Sequence, residues 1–277
     1  MNIPIDNYNL FTTLQSSDLL KVKEPILFIH GFAGSSDDWL QIFPQINKHY
    51  LPFAIDLIGH GKSSSPSDIS YYTHDAIANH LKSIFDFYNI TEPIICGYSM
   101  GGRAAISFAM KYPQNVKALI LESSSPGIIN SSERDLRYRN DLSLAENIQL
   151  KGLEFFDEYW SNLPIFDSQK YLSADQLAQI KTKRLNNNIT GLCNSLRGFS
   201  VGVMPNFWNR LPKIEVPVLL ISGEYDNKYT EINRIMSGLI KNSESKIIDS
   251  CGHNTHLEKP MEFVSLVNLF LDKTIKV

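Results

Sequence analysis

Apolar residues fall along this chain in short runs that alternate with amphipathic stretches, and that rhythm sets the expected architecture. Pro25 to Ile29 is a β-rich apolar run that stops at the glycine-punctuated loop His30-Gly31-Phe32-Ala33-Gly34. Asp37 to Asn47 carries Trp39, Leu40, Ile42, Phe43 and Ile46 at near-helical spacing, which predicts a helix. Leu51 to Leu57 reads as a second strand ending in a polar, glycine-rich loop. Thr73 to Tyr88 then places Ile77, Leu81, Ile84, Phe85 and Tyr88 along one side of a helix. Pro93 to Cys96 is a third strand, its following helix is stopped by Pro113, and Val116 to Leu121 is a fourth.

From Pro126 to Arg210 strand-like runs disappear, and helical stretches rich in Asn, Gln, Glu, Arg and aromatics take over. Strands resume at Val216 to Ser222 and Ser245 to Asp249, before a closing helix from Pro260 to Leu271. The pattern predicts an α/β fold, with a mostly parallel central sheet and helices on both faces. Residues 1–125 and 211–277 form its core, and residues 126–210 an inserted helical cap. Ligands of such sheets bind at the carboxyl ends of the strands.

Composition narrows the partners. A length of 277 residues with 43% hydrophobic and 20% charged residues suits one large globular domain with an insertion. A net charge of −3, without any Lys/Arg-rich block, gives no support for nucleic-acid binding, so an anion site would have to be local. Cys96, Cys193 and Cys251 are odd in number and widely separated, which argues against a disulfide framework and for a reducing compartment. Met1 to Leu20 lacks a basic and an apolar signal region, and no apolar run reaches the eighteen or so residues of a membrane span. These features predict a cytoplasmic protein with no membrane partner, either a monomer or a small homo-oligomer.

The chemistry centres on Gly97-Tyr98-Ser99-Met100-Gly101, a Gly-x-Ser-x-Gly motif between an apolar strand and an alanine-rich helix. That context makes it a nucleophile elbow, with the serine hydroxyl at the positive end of a helix dipole. A serine needs a histidine to take its proton and an acid to orient that histidine. Asp226 follows the Val216 strand and His253 follows the Ser245 strand, giving the order Ser99, Asp226, His253. Glu224 is the competing acid and His256 the competing histidine. Backbone N–H groups of Met100 and Phe32 are expected to form an oxyanion hole. His30 reads as a packed histidine bonded to a loop carbonyl, and Asp56, His60 and Lys62 as loop scaffolding. None has metal-ligand spacing, and no cofactor is implied.

Arg103 lies one helical turn after Ser99 in an otherwise apolar helix. Either a bound anion or a structural salt bridge would relieve its burial.

Over nearly its whole length the chain resembles the α/β-hydrolase superfamily. A narrower resemblance rests on Gly97 to Arg103, Glu122 to Ile128, Glu133 to Asp141, Tyr159-Trp160 with Leu163 to Phe166, Arg184-Leu185-Asn186, Gly223 to Asp226 and Gly252 to His256. These segments look like the 2-succinyl-6-hydroxy-2,4-cyclohexadiene-1-carboxylate synthases of menaquinone biosynthesis. The resemblance implies a lyase that eliminates pyruvate from 2-succinyl-5-enolpyruvyl-6-hydroxy-3-cyclohexene-1-carboxylate, with the triad acting as general base. It also implies a small polycarboxylate substrate, bound by Arg103, Arg184 and one of Arg134, Arg137 and Arg139, of which spacing to Asn140-Asp141 favours Arg137. For Arg137 and Arg184 the alternative is a solvated helix charge. Tyr98 and Trp160 are expected pocket walls, with ordinary aromatic packing as the alternative. A carboxylesterase or carbon-carbon bond hydrolase using Ser99 as nucleophile, or a binding protein that has lost turnover, are the rival functions.

Overall fold

A computed structural model gives the structure of the chain and describes residues 1–5, 7–16 and 18–274. Strands β1 (Asn2–Ile5) and β2 (Tyr8–Phe11) form an antiparallel hairpin, pairing Asn2 with Phe11 and Ile5 with Tyr8. The strand rhythm read from the sequence begins only at Pro25, so it does not include this element. Ile3, Ile5, Tyr8 and Leu10 are buried at a period of two, which is the strand signal.

The central sheet holds β3 (Glu24–Ile29), β4 (Tyr50–Ile55), β5 (Ile94–Tyr98), β6 (Ala118–Glu122), β7 (Val218–Gly223) and β8 (Ser243–Ile248). Their order is β4-β3-β5-β6-β7-β8, and every pairing is parallel. Each lies within two residues of the apolar run that predicts it. The helices are α1 (His74–Phe87), α2 (Met100–Lys111), α3 (Ser131–Ser161), α4 (Ala174–Leu185), α5 (Ile189–Gly198), α6 (Asn227–Leu239), α7 (Thr255–Glu258) and α8 (Pro260–Thr274).

Successive strand residues point to opposite faces, so each strand feeds two cores. Leu27, Ile29, Ile95, Leu119 and Leu121 pack with Leu81 and Ile84 of α1 and Ala105 and Phe108 of α2. Ile26, Phe28, Ile94, Cys96 and Ile120 pack with Phe263, Val267 and Phe270 of α8. Every residue of β5 and β6 is buried, as double-sided covering requires.

The helix expected over Asp37 to Asn47 is replaced by two short 3-10 turns, Ser36–Asp38 and Phe43–Gln45. A capping box between Ser35 and Asp38 closes the first turn, and Pro44, which lacks an N–H, sits inside the second. Trp39, Ile42 and Ile46 are buried all the same.

Between β6 and β7 lies the helical insertion. Leu144, Ala145 and Ile148 of α3 pack on Leu192, Cys193 and Leu196 of α5, and Phe156 and Ala33 join the same cluster. Gly152 breaks α3 with φ 83°. The last α-helix of this stretch, α5, ends at Gly198, and a 3-10 helix follows at Trp208–Lys213. Phe199, Met204, Phe207, Trp208 and Leu211 are buried with the α/β core. Among the described residues no helix is long and apolar enough to cross a membrane.

Strand order positions the site. The chain steps outward from β3 to β4, returns past β3 to β5, then continues outward through β6, β7 and β8. Connections after β3 and β5 therefore diverge, and a crevice opens between them at the carboxyl ends. The His30 to Gly34 loop and Ser99 flank that crevice.

Three buried histidines make the fold acid-sensitive. His74 is held between Ser107 Oγ (3.2 Å) and the Ser200 carbonyl (3.1 Å), and His80 Nε2 meets the Tyr8 hydroxyl at 2.6 Å. His60 Nδ1 lies 3.2 Å from the Ile58 carbonyl. Burial lowers all three, with His30 adding to the effect on His60 and Arg103 on His74: His60 and His74 fall to about 3, and His80 to about 4. The unfolded chain binds protons near pH 6.5 that the folded one refuses, so this stability is complete above pH 7 and is lost as pH falls toward 3. Unfolding free energy should drop by roughly 3 kcal/mol between pH 6 and pH 5 from these residues alone. Denaturant titrations at the two pH values check this, and equal stabilities would refute it.

Candidate active site

β5 ends at Tyr98 and α2 begins at Met100, so Ser99 alone turns the chain, at φ 49° and ψ −104°. A non-glycine residue there is strained by about 1–3 kcal/mol and needs its surroundings to hold it. The Ser99 N–H donates to the Glu122 carbonyl (2.8 Å) across the sheet, and its carbonyl accepts from Arg103 N–H (3.1 Å). A Cβ on Gly101 would collide with the carbonyls of Ile29 and His30, and one on Gly97 with the Gly101 peptide. Those two glycines let β3, β5 and α2 interlock.

Asp226 caps α6 just after β7, and His253 follows β8. His253 Nδ1 lies 2.6 Å from Asp226 Oδ2, and its Nε2 lies 3.0 Å from Ser99 Oγ. An ionised carboxylate only accepts, so Nδ1 carries the proton and Nε2 is left to accept from the serine hydroxyl. The structure thus brings Ser99, His253 and Asp226 into one relay. Glu224 instead accepts the Ser250 N–H (2.7 Å), and His256 Nδ1 bonds Glu122 Oε2 (2.7 Å).

The loop after β3 closes by a Gly34 N–H to Gly31 carbonyl bond of 3.1 Å. His30 braces it: Nδ1 meets the Gly31 carbonyl at 2.7 Å, and Nε2 accepts the Leu57 N–H at 3.0 Å. Asp56 accepts the N–H groups of Ser36 (2.6 Å) and Lys62 (2.7 Å), tying the neighbouring loop to it. Among the described residues the N–H groups of Phe32 and Met100 donate to no protein atom; that of Met100 is one of the free donors of the first turn of α2. Two N–H groups on either side of the crevice are what a developing oxyanion requires.

A cavity of about 350 Å3 is walled by Phe32, Tyr98, Trp160, Phe166, Arg184 and His256 among others; Tyr98 precedes Ser99 in the chain, and Ser99, Asp226 and His253 are not in its wall. Tyr98 and Trp160 are therefore both packed and pocket-facing: Trp160 meets Phe32 at 5.0 Å, and Tyr98 meets His253 at 5.4 Å. Burial, then the carboxylates of Glu122, Glu258 and Asp226, push the Tyr98 phenol up, so it stays neutral.

The arginines divide. Arg184 is buried and donates to Asp157 (3.3 Å) and the Ser161 hydroxyl; burial lowers its pKa and Asp157 partly offsets that. Arg103 and Arg137 are not in the wall of this cavity. Arg137 bonds both oxygens of Asp141 (2.9 and 3.0 Å) and remains over a third exposed, so its charge is already partnered within α3. Arg103 donates to the Phe199 carbonyl (2.6 Å) and lies over the Phe199 ring; no carboxylate bonds it among the described residues. Burial, then the like charge of Arg137, push Arg103 down to about 10. Instead of a salt bridge, the structure leaves a half-buried cation beside the elbow, bonded to a carbonyl.

Several contributors escaped the sequence reading. Asp157, the partner of Arg184, lies 27 positions away from it, and no local pattern links them. Asn187 Nδ2 donates to the Ala33 carbonyl (3.0 Å) and Lys183 pairs with Asp38 (2.7 Å), joining the end of α4 to the loop after β3. Phe166 lies 6.0 Å from the His253 ring. An aromatic cluster in the insertion was the available signal for it.

Fold and site define a class. A family model described as the alpha/beta hydrolase fold matches residues 24–260, and the chain belongs to that family. Within it, the chain is 40% identical over 248 residues to a protein of Bacillus subtilis (strain 168) provisionally named 2-succinyl-6-hydroxy-2,4-cyclohexadiene-1-carboxylate synthase, covering 90% of each. It is 28% identical over 251 residues to the synthase of that name from Enterobacter sp. (strain 638), covering 91% of this chain and 93% of that one. The solved structure of MenH from S. aureus matches with a TM-score of 0.88 and 33% identity, covering 98% of this chain and 100% of that one.

The relay geometry distinguishes the two acids. Asp226→Asn should lower kcat roughly a thousandfold or more, because an amide favours the wrong His253 tautomer. Glu224→Gln, which touches only the Ser250 N–H, should stay within about threefold of the parent. Comparable losses in both variants, measured by steady-state kinetics, would overturn the assignment.

Proposed function

We propose that this chain is a lyase that eliminates pyruvate from 2-succinyl-5-enolpyruvyl-6-hydroxy-3-cyclohexene-1-carboxylate to give 2-succinyl-6-hydroxy-2,4-cyclohexadiene-1-carboxylate in menaquinone biosynthesis. Likeness at 40% identity over 90% of the chain supports the reaction. Within the site, the observation that carries it is Arg103, a half-buried cation one turn beyond Ser99 that bonds a carbonyl and no carboxylate among the described residues. A polycarboxylate supplies the missing anion, and an apolar ester does not.

Ser99, its proton drawn toward His253 Nε2, acts as the base and removes the ring proton beside the succinyl ketone. Phe32 and Met100 N–H groups hold the enolate oxygen as it forms. The ring electrons then shift: the C2–C3 bond becomes double, the C3=C4 bond moves to C4=C5, and the C5–O bond breaks. Pyruvate leaves as its enolate, regains the proton from His253 and ketonises. Water is neither consumed nor formed, and no covalent bond to Ser99 is made. Asp226 holds His253 in the tautomer this needs and stabilises its charged form. In this reading Arg103, Arg184 and Arg137 bind the carboxylates, while Tyr98 and Trp160 wall the ring.

The same reading makes the protein a cytoplasmic enzyme, a monomer or small homo-oligomer, acting on a small anion rather than on nucleic acid. Three buried thiols, Cys96, Cys193 and Cys251, and a net charge of −3 support it.

Supplying the enolpyruvyl cyclohexene and following pyruvate release and diene absorbance tests the reaction. Rapid hydrolysis of nitrophenyl esters with no acceleration of pyruvate release would sink the lyase in favour of a serine hydrolase. Arg103→Ala should lower kcat/KM for the carboxylated substrate about ten- to a hundredfold and spare any small neutral ester. Equal losses on both substrates would make Arg103 structural.

A further inference from the structure

Glu122 ends β6, wholly buried, paired in the sheet with Tyr98 on one side and Ile221 on the other. Its carbonyl accepts the Ser99 N–H at 2.8 Å. Its carboxylate accepts four more donors, all from the turn that opens two residues after His253. Oε1 takes the Thr255 N–H (2.6 Å), the Thr255 hydroxyl (2.7 Å) and the His256 N–H (3.1 Å), while Oε2 takes His256 Nδ1 (2.7 Å). One residue therefore grips the serine turn by its main chain and the histidine loop by its side chain.

The topology explains why such a grip is needed. His253 hangs from β8, the outermost strand, whereas Ser99 follows β5, three positions further in. Sheet pairing ends at Ile248, and Ser250, in the left-handed region at φ 52°, redirects the chain. The loop must then cross back over β7 to reach the serine. Glu122, on the strand between β5 and β7, is where that span is anchored. The anchor extends through packed rings: His256 stacks on Trp39 at 3.9 Å and meets Tyr98 edge-on at 5.1 Å, and Tyr98 in turn touches His253 at 5.4 Å.

We infer that Glu122 is a positioning residue for the reaction: acting through Thr255 and His256, it sets His253 within hydrogen-bond reach of Ser99. The inference rests on the reading of Ser99, His253 and Asp226 as the working relay, and it adds to that relay a fourth residue that touches no substrate.

The test uses Glu122→Gln, which keeps the Oε1 acceptor and puts an amide where Oε2 faced His256. Two signals are read on the full chain: pyruvate release, and the low-field proton resonance of the His253–Asp226 hydrogen bond, which is visible without any substrate. The expected result is a fall in kcat of about ten- to a hundredfold with KM within about twofold, alongside a shifted or broadened resonance. In an Asp226→Asn background the same substitution should add little further loss, since both act through His253. An unchanged resonance, a kcat close to the parent, or losses that multiply in the double variant would each overturn the inference. If the parent itself released no pyruvate, the lyase reading would fail, while the resonance would still decide the role of Glu122. Should Glu122→Gln not fold, Thr255→Val removes one of the four donors and is judged by the same two signals. A lowered kcat with a shifted resonance supports the inference, and any other outcome refutes it.

Discussion

The backbone of α2 meets the end of β3 at Gly101, with the Ile29 and His30 carbonyls where a side chain would begin. Much of the site hangs on that contact. It sets the first turn of α2 against the loop that carries Phe32, so the two N–H donors are spaced by main-chain packing and not by side-chain choice. It also backs the strained turn at Ser99, whose N–H is held from the opposite side by Glu122 on β6. A residue at φ 49° persists because three strands and a helix leave it no other place. The hydroxyl it presents is then aligned with a histidine delivered from the far edge of the sheet.

Electrostatics follow from that frame. α2 points its positive end at the crevice, and its fourth residue is an arginine bound to a carbonyl. Asp141, an acid whose charge acts on this group, is shared between Arg137 and the Ser200 hydroxyl and does not bond Arg103. Arg184, in the cavity wall, has its own carboxylate in Asp157. The two arginines therefore differ: Arg184 is already paired with a carboxylate, while Arg103 is a half-buried positive charge with no counter-ion bonded to it among the described residues. In a protein of net charge −3, this local excess is a property of the site and not of the surface.

How much of this the residues reveal by themselves depends on the range of the interaction. β5 and β6 are legible because burial on both faces demands unbroken apolar runs, and the elbow is legible because its chemistry needs glycines at fixed offsets. The order Ser99, Asp226, His253 is readable for a topological reason: parallel strands put every post-strand loop at one end of the sheet. Asp37 to Asn47 shows the opposite case, where helical spacing of buried residues is produced by two tight turns around Pro44. Arg103 was placed correctly one turn from the serine, yet its acceptor, the Phe199 carbonyl, comes from a segment nearly a hundred residues on that has no sequence signature. Likewise, a glutamate ending a buried strand is visible in the sequence. That it meets Thr255 and His256 follows only from the fold.

The helices between β6 and β7 brace the loop after β3 as well as walling the cavity. Asn187 donates to the Ala33 carbonyl, Lys183 pairs with Asp38, and Trp160 and Phe156 pack on the Phe32 ring. Ala33 sits at φ 60°, a conformation that its neighbours in the sheet do not enforce, so contacts from α3 and α4 supply part of the restraint on the adjacent Phe32 N–H. Withdrawing the insertion would loosen a donor and admit water together. For a hydrolase such walls must still let water reach an acyl intermediate. The proposed elimination consumes no water, so aromatic walls would serve it by lowering the dielectric around a forming enolate. Aromatic walls, cations near the crevice and a histidine held in one tautomer are therefore mutually consistent with the proposed elimination, on a serine relay that the fold also offers to hydrolysis.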